Sequence, residues 1–344
     1  MSAQAGSSST GSSPAAPLPT VADLERAREH VRRAAVRTPL VRLDLAGPGG
    51  HEVFAKAENL QRTGSFKLRG ALAFLASLPA DVRARGVVTH SSGNHAQGVA
   101  FAARHFGVPA TIVIPEGAPR VKVEGTRALG AEVVRCRNTQ ASRQETAAAI
   151  AEARGATLVP PYDHPWIVAG QASVGLEIAE DLADVANVLV PIGGGGLSSG
   201  VCLALTARAP AARVVGVEPE LAADARESLR TGERVTWPAE AVTRTLADGV
   251  RTQSIGALNF QVLQRYLAGV ETVDEEGIRE ATAWYARRAR LVVEPTGAIT
   301  LAALRKLLRG EGETALSDAG PTVVVISGGN VDVELLCQLL QAPA

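Results

Sequence analysis

The sequence lacks the features that mark disulfide scaffolds, membrane proteins and nucleic-acid-binding proteins. Its three cysteines, Cys136, Cys202 and Cys337, are odd in number and far apart, which leaves no disulfide framework or metal-binding cysteine motif and points to a reducing compartment. The 35 basic and 35 acidic residues balance, so no electrostatic footprint favours nucleic acid or an acidic membrane. No apolar run approaches the ~20 residues that a transmembrane helix needs. We therefore expect a cytoplasmic protein that acts on a small neutral or zwitterionic molecule, without nucleic acid or membrane partners.

Several catalytic and targeting motifs are also missing. The six histidines show no HExxH or other paired spacing, so metallohydrolase chemistry has no support. The chain has no G-x-G-x-x-G fingerprint, which disfavours a nucleotide-binding oxidoreductase. Residues 1–19 lack the basic flank and apolar core of a signal peptide, and their composition is typical of a disordered tail.

Lysine is scarce in this chain, which has only Lys56, Lys67, Lys122 and Lys306, and arginine carries nearly all of the positive charge. Lys67 lies in TGSFK at 63–67, a turn between an apolar strand and a predicted helix. Helix N-termini repel cations, so this lysine either points into solvent or has a chemical role. Unlike arginine, a desolvated lysine can lose its proton and form a Schiff base with an aldehyde. The position of Lys67 between Gly-Ser and an apolar helix face favours the chemical role over a surface charge.

Short β-branched runs alternate with amphipathic segments almost to the end of the chain. Runs such as VVRC, VLVPI, VVGVE and TVVVIS, separated by helices, are typical of parallel sheets covered on both faces, and they predict an α/β fold. Helices are predicted at 21–36, 66–78, 94–106, 119–129, 140–154, 170–184, 197–208, 274–290, 297–309 and 331–340. Strands are predicted at 52–57, 86–90, 110–114, 131–135, 157–159, 187–192, 213–218, 291–293 and 322–327. Residues 219–260 are less periodic and are interpreted as an excursion on the surface.

Glycine and hydroxyl residues are concentrated in four turns that each follow a predicted strand. They are TGSFK at 63–67, SSGNH at 91–95, GGGGLSSG at 193–200 and SGGN at 327–330. In open α/β sheets, ligands bind at the carboxyl ends of the strands, in the turns that lead into helices. Four such turns indicate one ligand, or two ligands in contact.

The GGGGLSSG loop is the strongest of these signals. It follows the strand NVLVPI and opens a helix, so its amides can converge on a phosphate. It lacks the Gly-Lys-Ser/Thr of a nucleoside triphosphate loop, which leaves a single phosphate, or a tight turn that lets a helix pack on the sheet. A monophosphate site together with Lys67 suggests pyridoxal phosphate.

Seven motifs, in this order, carry a resemblance to a known family: ENLQRTGSFKLRGA, THSSGNHAQGVA, PPYDHP with AGQAS, GGGGLSSG, VEP, EPTGA and SGGNVD. From about residue 21 to the end, the chain resembles the serine/threonine dehydratases and serine racemases, which are fold type II, tryptophan-synthase-β-like enzymes that use pyridoxal phosphate. The resemblance implies two interleaved, open, twisted α/β domains with the cofactor in the cleft between them. The large cofactor-binding domain would comprise 20–80 plus 164–344, and the small mobile domain 81–163. A homodimer is also implied. Because only 14 residues follow SGGN, we expect no C-terminal regulatory domain, in which the chain departs from the biosynthetic threonine dehydratases.

The same resemblance assigns the cofactor site. Lys67 would hold the cofactor as a Schiff base and later act as general base. Asn94 would bond the phenolic oxygen, Phe66 would pack beside the ring, and Glu294 would orient it. Ser327 would face the pyridine nitrogen. The phosphate would be cradled by Gly193, Gly194, Gly195, Gly196 and Leu197. As alternatives, Asn94 is a simple helix cap and Glu294 a strand-end acid paired with an arginine.

Ser327 indicates the reaction type. A carboxylate at this position would keep the pyridine nitrogen protonated and make the ring a strong electron sink, whereas a neutral hydroxyl does not. Weaker carbanion stabilisation suits β-elimination, in which the leaving hydroxyl takes the charge away, and disfavours transamination. The expected reaction is dehydration and deamination of L-threonine, L-serine or both to a 2-keto acid and ammonia. One methyl group separates these substrates by only ~1–3 kcal/mol in an apolar pocket.

The amides and hydroxyls of SSGNH open a predicted helix and form a receptor for the substrate carboxylate. Substrate binding is therefore assigned to Ser91, Ser92, Gly93, Asn94 and His95. Racemases of this family use a serine at the position of Ser92 as an acid/base opposite the lysine, so Ser92 is a second catalytic candidate and a serine racemase stays open, whereas YDHP resembles the dehydratase form. Arg143 matches an arginine that racemase-like members place near the active site, or else it is a solvated charge on an exposed helix. A threo-3-hydroxyaspartate dehydratase and an idle cofactor-binding module are further alternatives.

VEPELAADA suggests a metal site. Glu218, the main-chain carbonyl of Ala222 and Asp224 reproduce the spacing at which this branch of the family holds Mg²⁺ or Ca²⁺, and oxygen ligands suit such hard cations. The alternative is a polar loop with two solvated acids. An ion here would be structural or activating, since it lies away from the carbon that is attacked.

Overall fold

The computed structural model describes residues 17–118 and 120–341. The predicted tail at 1–19 lies outside the described residues except for 17–19, which lead into α1 (Val21–Val31). Thr20 begins this helix with a capping box, because its hydroxyl accepts from the Asp23 N–H while the Asp23 carboxylate accepts from the Thr20 N–H. Among the helices of the described ranges, none combines the length and apolar character that crossing a bilayer requires.

Two sheets organise the described part of the chain. The strands are β1 (Leu40–Ala46), β2 (Glu52–Ala57), β3 (Val87–His90), β4 (Ala110–Pro115), β5 (Glu132–Cys136), β6 (Thr157–Leu158), β7 (Asn187–Pro191), β8 (Arg213–Pro219), β9 (Gly269–Val273) and β10 (Thr322–Ile326). The larger sheet has the order β1-β2-β10-β7-β8-β9, with β1 antiparallel to β2 and the other neighbours parallel. The smaller sheet, β5-β4-β3-β6, is parallel throughout. Its central strand β4, like β7 and β10 of the larger sheet, is buried along its length, which confirms the predicted α/β class.

Helices cover both sheets. After α1 they are α2 (Lys67–Ser77), α3 (Ala80–Ala84), α4 (Asn94–Phe106), α5 (Arg120–Ala128), α6 (Gln140–Arg154), α7 (Pro165–Asp181), α8 (Gly196–Arg208), α9 (Asp224–Thr231), α10 (Ala239–Val242), α11 (Ala257–Tyr266), α12 (Glu275–Trp284), α13 (Pro295–Leu308) and α14 (Val333–Leu339). Along the chain, β1 and β2 precede the smaller sheet and β7 to β10 follow it. The domain boundaries proposed at 20–80, 81–163 and 164–344 stay a prediction.

A hydrophobic core lies on each face of the larger sheet. In β7, Val188 and Val190 belong to the core under α8, whereas Leu189 between them belongs to the core under α13, as the two-residue period of a strand requires. Helices α7 and α8 approach closely because their contact is made of small residues. A Cβ atom added at Gly200 would lie 2.6 Å from the Ala172 nitrogen. This close packing fixes the start of α8 at the edge of the sheet.

Some boundaries predicted from the sequence are wrong. Residues 291–293 form a loop, because Arg290 adopts φ 60° after the π-helical turn at Tyr285–Ala289 and redirects the chain. Helix α7 begins at Pro165 instead of 170, since proline suits a first helical turn and His164 accepts from the Trp166 N–H at 3.1 Å. Strands β1 and β9 were not predicted, because their polar and apolar residues do not form a continuous apolar run.

Residues 219–260 are not the surface excursion that was expected. This segment contains α9, α10 and the start of α11, and Ala225, Val242, Val250 and Ile255 are buried within it. Its short helices and its charged residues conceal the apolar periodicity on which the prediction depended. The segment closes one side of the cavity described below.

Candidate active site

Lys67 lies where two turns are hydrogen-bonded to each other at the carboxyl edge of the larger sheet. The Phe66 N–H donates to the Ser327 carbonyl oxygen at 3.1 Å, and the Gly329 N–H donates to that of Gly64 at 2.9 Å. The turns meet because β2 and β10 are parallel neighbours. Phe66 is the N-cap residue of α2, and Lys67 is its first residue. The lysine and Ser327 are therefore held side by side by main-chain bonds.

The amine of Lys67 is partly buried and donates to the carbonyl oxygen of Pro161 at 3.1 Å. It lies 5.2 Å from the centre of the Phe66 ring, a favourable cation–π distance. Burial lowers the pKa of Lys67 to about 8, and the negative charge of Glu294 opposes only part of that shift. A lysine with this pKa can act as a nucleophile and a base near neutral pH.

The glycine loop connects β7 to α8 and is tightly packed. Gly195, the N-cap residue of α8, has φ 89°, a conformation that glycine tolerates. A Cβ atom at Gly194 would collide with the ring of Tyr162, and one at Gly193 would lie 3.1 Å from Cα of Val250. The loop and Tyr162 enclose a recess of about 40 Å³ that Lys67 also lines. The positive end of α8 at this recess suits a single phosphate group.

Ser327 and Gln171 line the same recess. Among residues 17–118 and 120–341, neither the Ser327 hydroxyl nor the Gln171 side-chain oxygen finds a hydrogen-bond partner, although both atoms are buried. An unpaired buried polar atom costs ~1–3 kcal/mol. A ligand with polar atoms in this recess would remove that cost, and the hydroxyl offers it an uncharged contact.

Asn94 is held between two side chains. Its amide nitrogen donates to Glu294 Oε1 at 2.8 Å, and its oxygen accepts from Asn330 Nδ2 at 2.8 Å. Asn330 also donates to the Thr63 carbonyl oxygen at 2.8 Å, and the sequence offered no role for it beyond its place in SGGN. Because Gly93 is the N-cap residue of α4, the helix-cap interpretation of Asn94 is wrong. The second amide hydrogen of Asn94 remains for a ligand.

The SSGNH turn joins β3 to α4 and borders the same space. The Gly93 N–H donates to Ser91 Oγ at 3.2 Å, which shapes the turn, and Ser91 and Ser92 line the cavity in front of Lys67. The positive end of α4 therefore faces a site that also contains the lysine. This arrangement suits a carboxylate.

His95 borders the cavity but uses its ring elsewhere. Its Nε2 pairs with Thr89 Oγ1 at 3.0 Å. Burial and the nearby charge of Lys67 lower the pKa of His95 to about 3, so the ring stays neutral at physiological pH. It can position the SSGNH turn, but it cannot supply a positive charge to a substrate.

Arg143 projects from α6 into the cavity and is partly buried. Its Nε is buried, with no hydrogen-bond partner in the described part of the chain. Burial of His90 lowers the pKa of that histidine, and the positive charge of Arg143 lowers it further. The interpretation of Arg143 as a solvated surface charge is therefore wrong, and its guanidinium is available to an anion in the cavity.

The glycine loop and Gln171 line the recess, which shares Lys67, Tyr162 and Ser327 with a larger cavity. This cavity has a volume of about 680 Å³ and is lined by Asn94, Glu294, Asn330, His95, Arg143 and the SSGNH turn. Its other side is formed by Thr243, Asp248, Arg251 and Thr252, from the segment whose role the sequence did not reveal. Within the described ranges, the buried Thr252 hydroxyl has no hydrogen-bond partner. The cavity is large enough for a cofactor and a small substrate, and the cavity and the adjoining recess together bring the four predicted turns to one place.

The predicted metal ligands lie outside this cavity, at the end of β8. Glu218 and Asp224 are fully buried, and Glu218 accepts from the Arg226 N–H at 2.8 Å. Neither carboxylate oxygen of Asp224 has a hydrogen-bond partner in the part of the chain that the structure describes. Burial raises the pKa of Asp224 to about 7, and burial and the charge of Asp224 raise that of Glu218. The alternative of two solvated acids is wrong.

A partly buried lysine with a lowered pKa, a phosphate-sized recess at a helix start and a neutral hydroxyl beside them are the features of a pyridoxal phosphate enzyme. The family described as pyridoxal-phosphate dependent enzymes matches residues 31–328. The chain belongs to this family.

Individual relatives are similar over nearly the whole chain. It is 42% identical to an L-threonine ammonia-lyase of Geobacter sulfurreducens, over 92% of this chain and 77% of the relative. It is 40% identical to an L-threo-3-hydroxyaspartate ammonia-lyase of a Pseudomonas species, over 93% of this chain and 98% of the relative. The structure of maize serine racemase has a TM-score of 0.88 at 34% identity, and the match covers 94% of this chain and 98% of that one. These matches confirm the family and the fold that the seven motifs predicted.

The residues present fit pyridoxal phosphate. The recess at Gly193–Gly196 suits its phosphate, Lys67 can take up its aldehyde, and the unpaired hydroxyl of Ser327 can meet its ring. Each of these roles was assigned from the sequence. The structure brings the residues together, and their contacts with the cofactor stay a prediction.

The pKa of Lys67 predicts how attachment of the cofactor depends on pH. Only the neutral amine attacks an aldehyde, and a pKa of about 8 instead of 10.5 makes the neutral fraction at pH 7 roughly 300-fold larger. The rate at which cofactor-free protein takes up pyridoxal phosphate should rise with pH up to about 8 and level off above it. Absorbance of the bound cofactor measures this rate. A rate that keeps rising to pH 10 would contradict the lowered pKa.

Proposed function

We propose that this chain catalyses the pyridoxal phosphate-dependent β-elimination of water from L-threonine, L-serine or both, with formation of a 2-keto acid and ammonia. The observation that carries the proposal is the uncharged Ser327 hydroxyl, held beside Lys67 by the Phe66–Ser327 hydrogen bond. With an uncharged partner for its pyridine nitrogen, the ring is a weaker electron sink. Negative charge then accumulates less in the ring, which favours rapid loss of the β-hydroxyl. The similarity to an L-threonine ammonia-lyase supports the same activity.

Each step of this reaction is assigned to particular side chains and turns of the protein. Pyridoxal phosphate, when bound, supplies an aldehyde that takes up the substrate amine and a ring that withdraws electrons from Cα. The amine of Lys67 then removes the Cα proton as general base. The SSGNH turn and the start of α4 hold the substrate carboxylate, while Glu294 and Asn94 hold the ring in place. The Cα–H electron pair becomes the Cα–Cβ double bond, the Cβ–O bond breaks, and the hydroxyl takes up a proton and leaves as water. Hydrolysis gives the products.

The proposal is tested with one series of substrates. Purified holoenzyme is incubated with L-threonine, L-serine, D-serine and threo-3-hydroxyaspartate, and the 2-keto acid and the enantiomers are measured. We expect keto acid from L-threonine and L-serine. Formation of D-serine without keto acid would instead establish a racemase, with Ser92 as the second acid/base. In that case Ser92→Ala would abolish D-serine formation.

A second candidate is an ammonia-lyase for 3-hydroxyaspartate, favoured by the buried and unpaired Nε of Arg143 that lies in the cavity within the described ranges. A second substrate carboxylate would pair with this guanidinium. Arg143→Met should then lower kcat/KM for 3-hydroxyaspartate about 10- to 100-fold and leave that for L-threonine within a few-fold, because one charge-assisted bond is lost. Arg154→Met, on the same helix but exposed, is the control. Equal losses for both substrates would argue against a second carboxylate site.

We further propose a divalent cation, Mg²⁺ or Ca²⁺, at Glu218, Asp224 and the carbonyl oxygen of Ala222. Two buried carboxylates, one of them unpaired among the described residues, repel each other unless a cation or protons balance them. Waters would complete the coordination of such an ion, which would stabilise the fold around β8.

Metal removal should lower stability. At a cation concentration 100-fold above Kd, bound ion contributes ~2.7 kcal/mol, so a chelator should reduce the melting temperature by several degrees. Asp224→Asn should abolish this response, whereas Glu220→Gln, an exposed neighbour, should keep it. A melting temperature that is unchanged by chelator and by excess Ca²⁺ or Mg²⁺ would remove the metal site from the proposal.

Cytoplasmic location, a homodimer and a mobile small domain at 81–163 complete the proposal. The homodimer and the mobile domain are supported by the resemblance to the dehydratase and racemase family, and the cytoplasmic location by the three scattered cysteines. Light scattering of the purified protein in solution measures its molar mass and so checks the oligomeric state.

A further inference from the structure

The segment Pro160–His164, which we call the connector, joins β6 of the smaller sheet to α7 beside the larger one. It contacts both Lys67 and the glycine loop. Pro161 accepts the hydrogen bond of the Lys67 amine. The side chain of Tyr162 lies against the glycine loop and lines both the recess and the large cavity. The connector therefore links the smaller sheet to the covalent and the phosphate-binding ends of the site.

The contact between Tyr162 and the loop is close enough to determine the sequence of the loop. A Cβ atom at Gly194 would collide with the tyrosine ring, and one at Gly196 would lie 3.1 Å from Cβ of Tyr162. The ring thus rests directly on the main chain of the glycine loop. It forms the wall of the recess opposite the loop.

Several further bonds hold the connector in this position. The Asp163 carboxylate accepts from the N–H groups of Ala257 and Leu258 at 2.8 and 3.0 Å. Asn259 Nδ2 donates to the carbonyl oxygens of both Tyr162 and Gly194, at 3.3 and 2.7 Å. The start of α11 therefore ties the connector and the glycine loop to the same side chain. Moving the main chain of the connector away from the loop would break these bonds.

We propose that Tyr162 retains the cofactor: its ring closes the phosphate recess, and the connector has to move before pyridoxal phosphate can enter or leave. The proposal concerns cofactor retention and does not depend on which amino acid is the substrate. It also explains why position 194 is a glycine: the Tyr162 ring leaves no room for a Cβ atom there.

Release and uptake of cofactor test this proposal without any measurement of turnover. Tyr162→Ala removes the wall and should increase the rate of pyridoxal phosphate release, followed by absorbance after dilution into a trap, by about tenfold or more. Tyr162→Phe keeps the ring and should restore slow release. Pyridoxal, which lacks the phosphate, can still react with Lys67, and its release should change little in Tyr162→Ala. The proposal would be overturned if Tyr162→Ala released pyridoxal phosphate at the wild-type rate, or if the substitution accelerated the release of pyridoxal to the same extent.

A second-site experiment tests the contact itself. Gly194→Ala should displace the ring or the loop and weaken uptake of pyridoxal phosphate strongly. In the double variant Gly194→Ala/Tyr162→Ala the added methyl group has room, so uptake should recover to the level of Tyr162→Ala. Circular dichroism and melting temperature of the cofactor-free variants separate this effect from misfolding, and the double variant decides even when Gly194→Ala alone is unfolded. If the losses of pyridoxal phosphate uptake in the two single variants simply add in the double variant, the two residues do not act on each other.

Discussion

Lys67→Ala is expected to lower the rate of 2-keto acid formation by about 10⁴-fold or more, the upper end of what a positioned general base contributes. The variant loses two functions at once, because the same amine anchors the cofactor and removes the Cα proton. Its pKa of about 8 makes both functions possible near neutral pH. Lys67→Arg should be equally inactive, since a guanidinium neither deprotonates nor attacks an aldehyde.

The other lysines provide the control for this prediction. Borohydride should fix the cofactor to Lys67 only, as mass spectrometry of the digested protein would show. Lys56 is more deeply buried, but its amine donates to Glu177 and to the Thr38 carbonyl oxygen, both at 2.6 Å, so it is occupied. Lys306 donates to the Thr272 carbonyl oxygen, away from the cavity. Label on Lys56 or Lys306, or an active Lys67→Ala variant, would overturn the assignment of the lysine.

The local parts of the site could be predicted from the sequence because each is a strand followed by a turn of glycine and hydroxyl residues. TGSFK, SSGNH, GGGGLSSG and SGGN lie at strand ends and border the recess and the adjoining cavity. The parallel sheets follow from apolar runs such as TVVVI. Three of the turns meet because β2, β7 and β10 are parallel and end at one edge of the larger sheet, whereas SSGNH comes from β3 of the smaller sheet. The chemistry and its place in the fold therefore depend on short stretches of sequence.

The contacts between distant segments could not be predicted in this way. Asn330 and Asn94 are 236 residues apart in the chain, and neither motif alone indicates that they share a hydrogen bond. Tyr162 gives no periodic or turn signal, although it covers Gly194. The polar segment containing Thr252 faces the cavity, which composition does not reveal. These contacts arise from tertiary packing, which the spacing of apolar residues along the chain does not reveal.

A buried ionic cluster behind the site leads to the second large prediction, in the stability of the fold. Arg69, two residues after Lys67, is fully buried and donates to both carboxylate oxygens of Glu58 at 2.8 Å. It also donates to Glu177 at 2.7 and 2.9 Å, and Lys56 donates to Glu177 at 2.6 Å. Two positive and two negative side chains thus balance. Burial alone would raise the pKa of Glu177, but the pairing with Arg69 and Lys56 outweighs burial and lowers that pKa below its usual value.

Arg69→Met is expected to destabilise the protein by about 3–5 kcal/mol, because it leaves two buried carboxylates with a single cation. The melting temperature should fall by roughly 10 °C, as thermal unfolding of the variant would show. Arg305→Met is the matched control, since Arg305 meets Glu280 at 3.6 Å on the surface and such a pair contributes less than about 1 kcal/mol.

A double variant separates the ionic effect from lost packing. Arg69→Met with Glu58→Leu removes one charge of each sign and leaves Lys56 paired with Glu177, so it should be more stable than Arg69→Met alone. Independent, additive losses would mean that the charges do not interact and that the arginine acts only through its volume. If the double variant shows this coupling, Arg69 fixes helix α2 two residues from the lysine, and the cluster stabilises the position from which Lys67 acts.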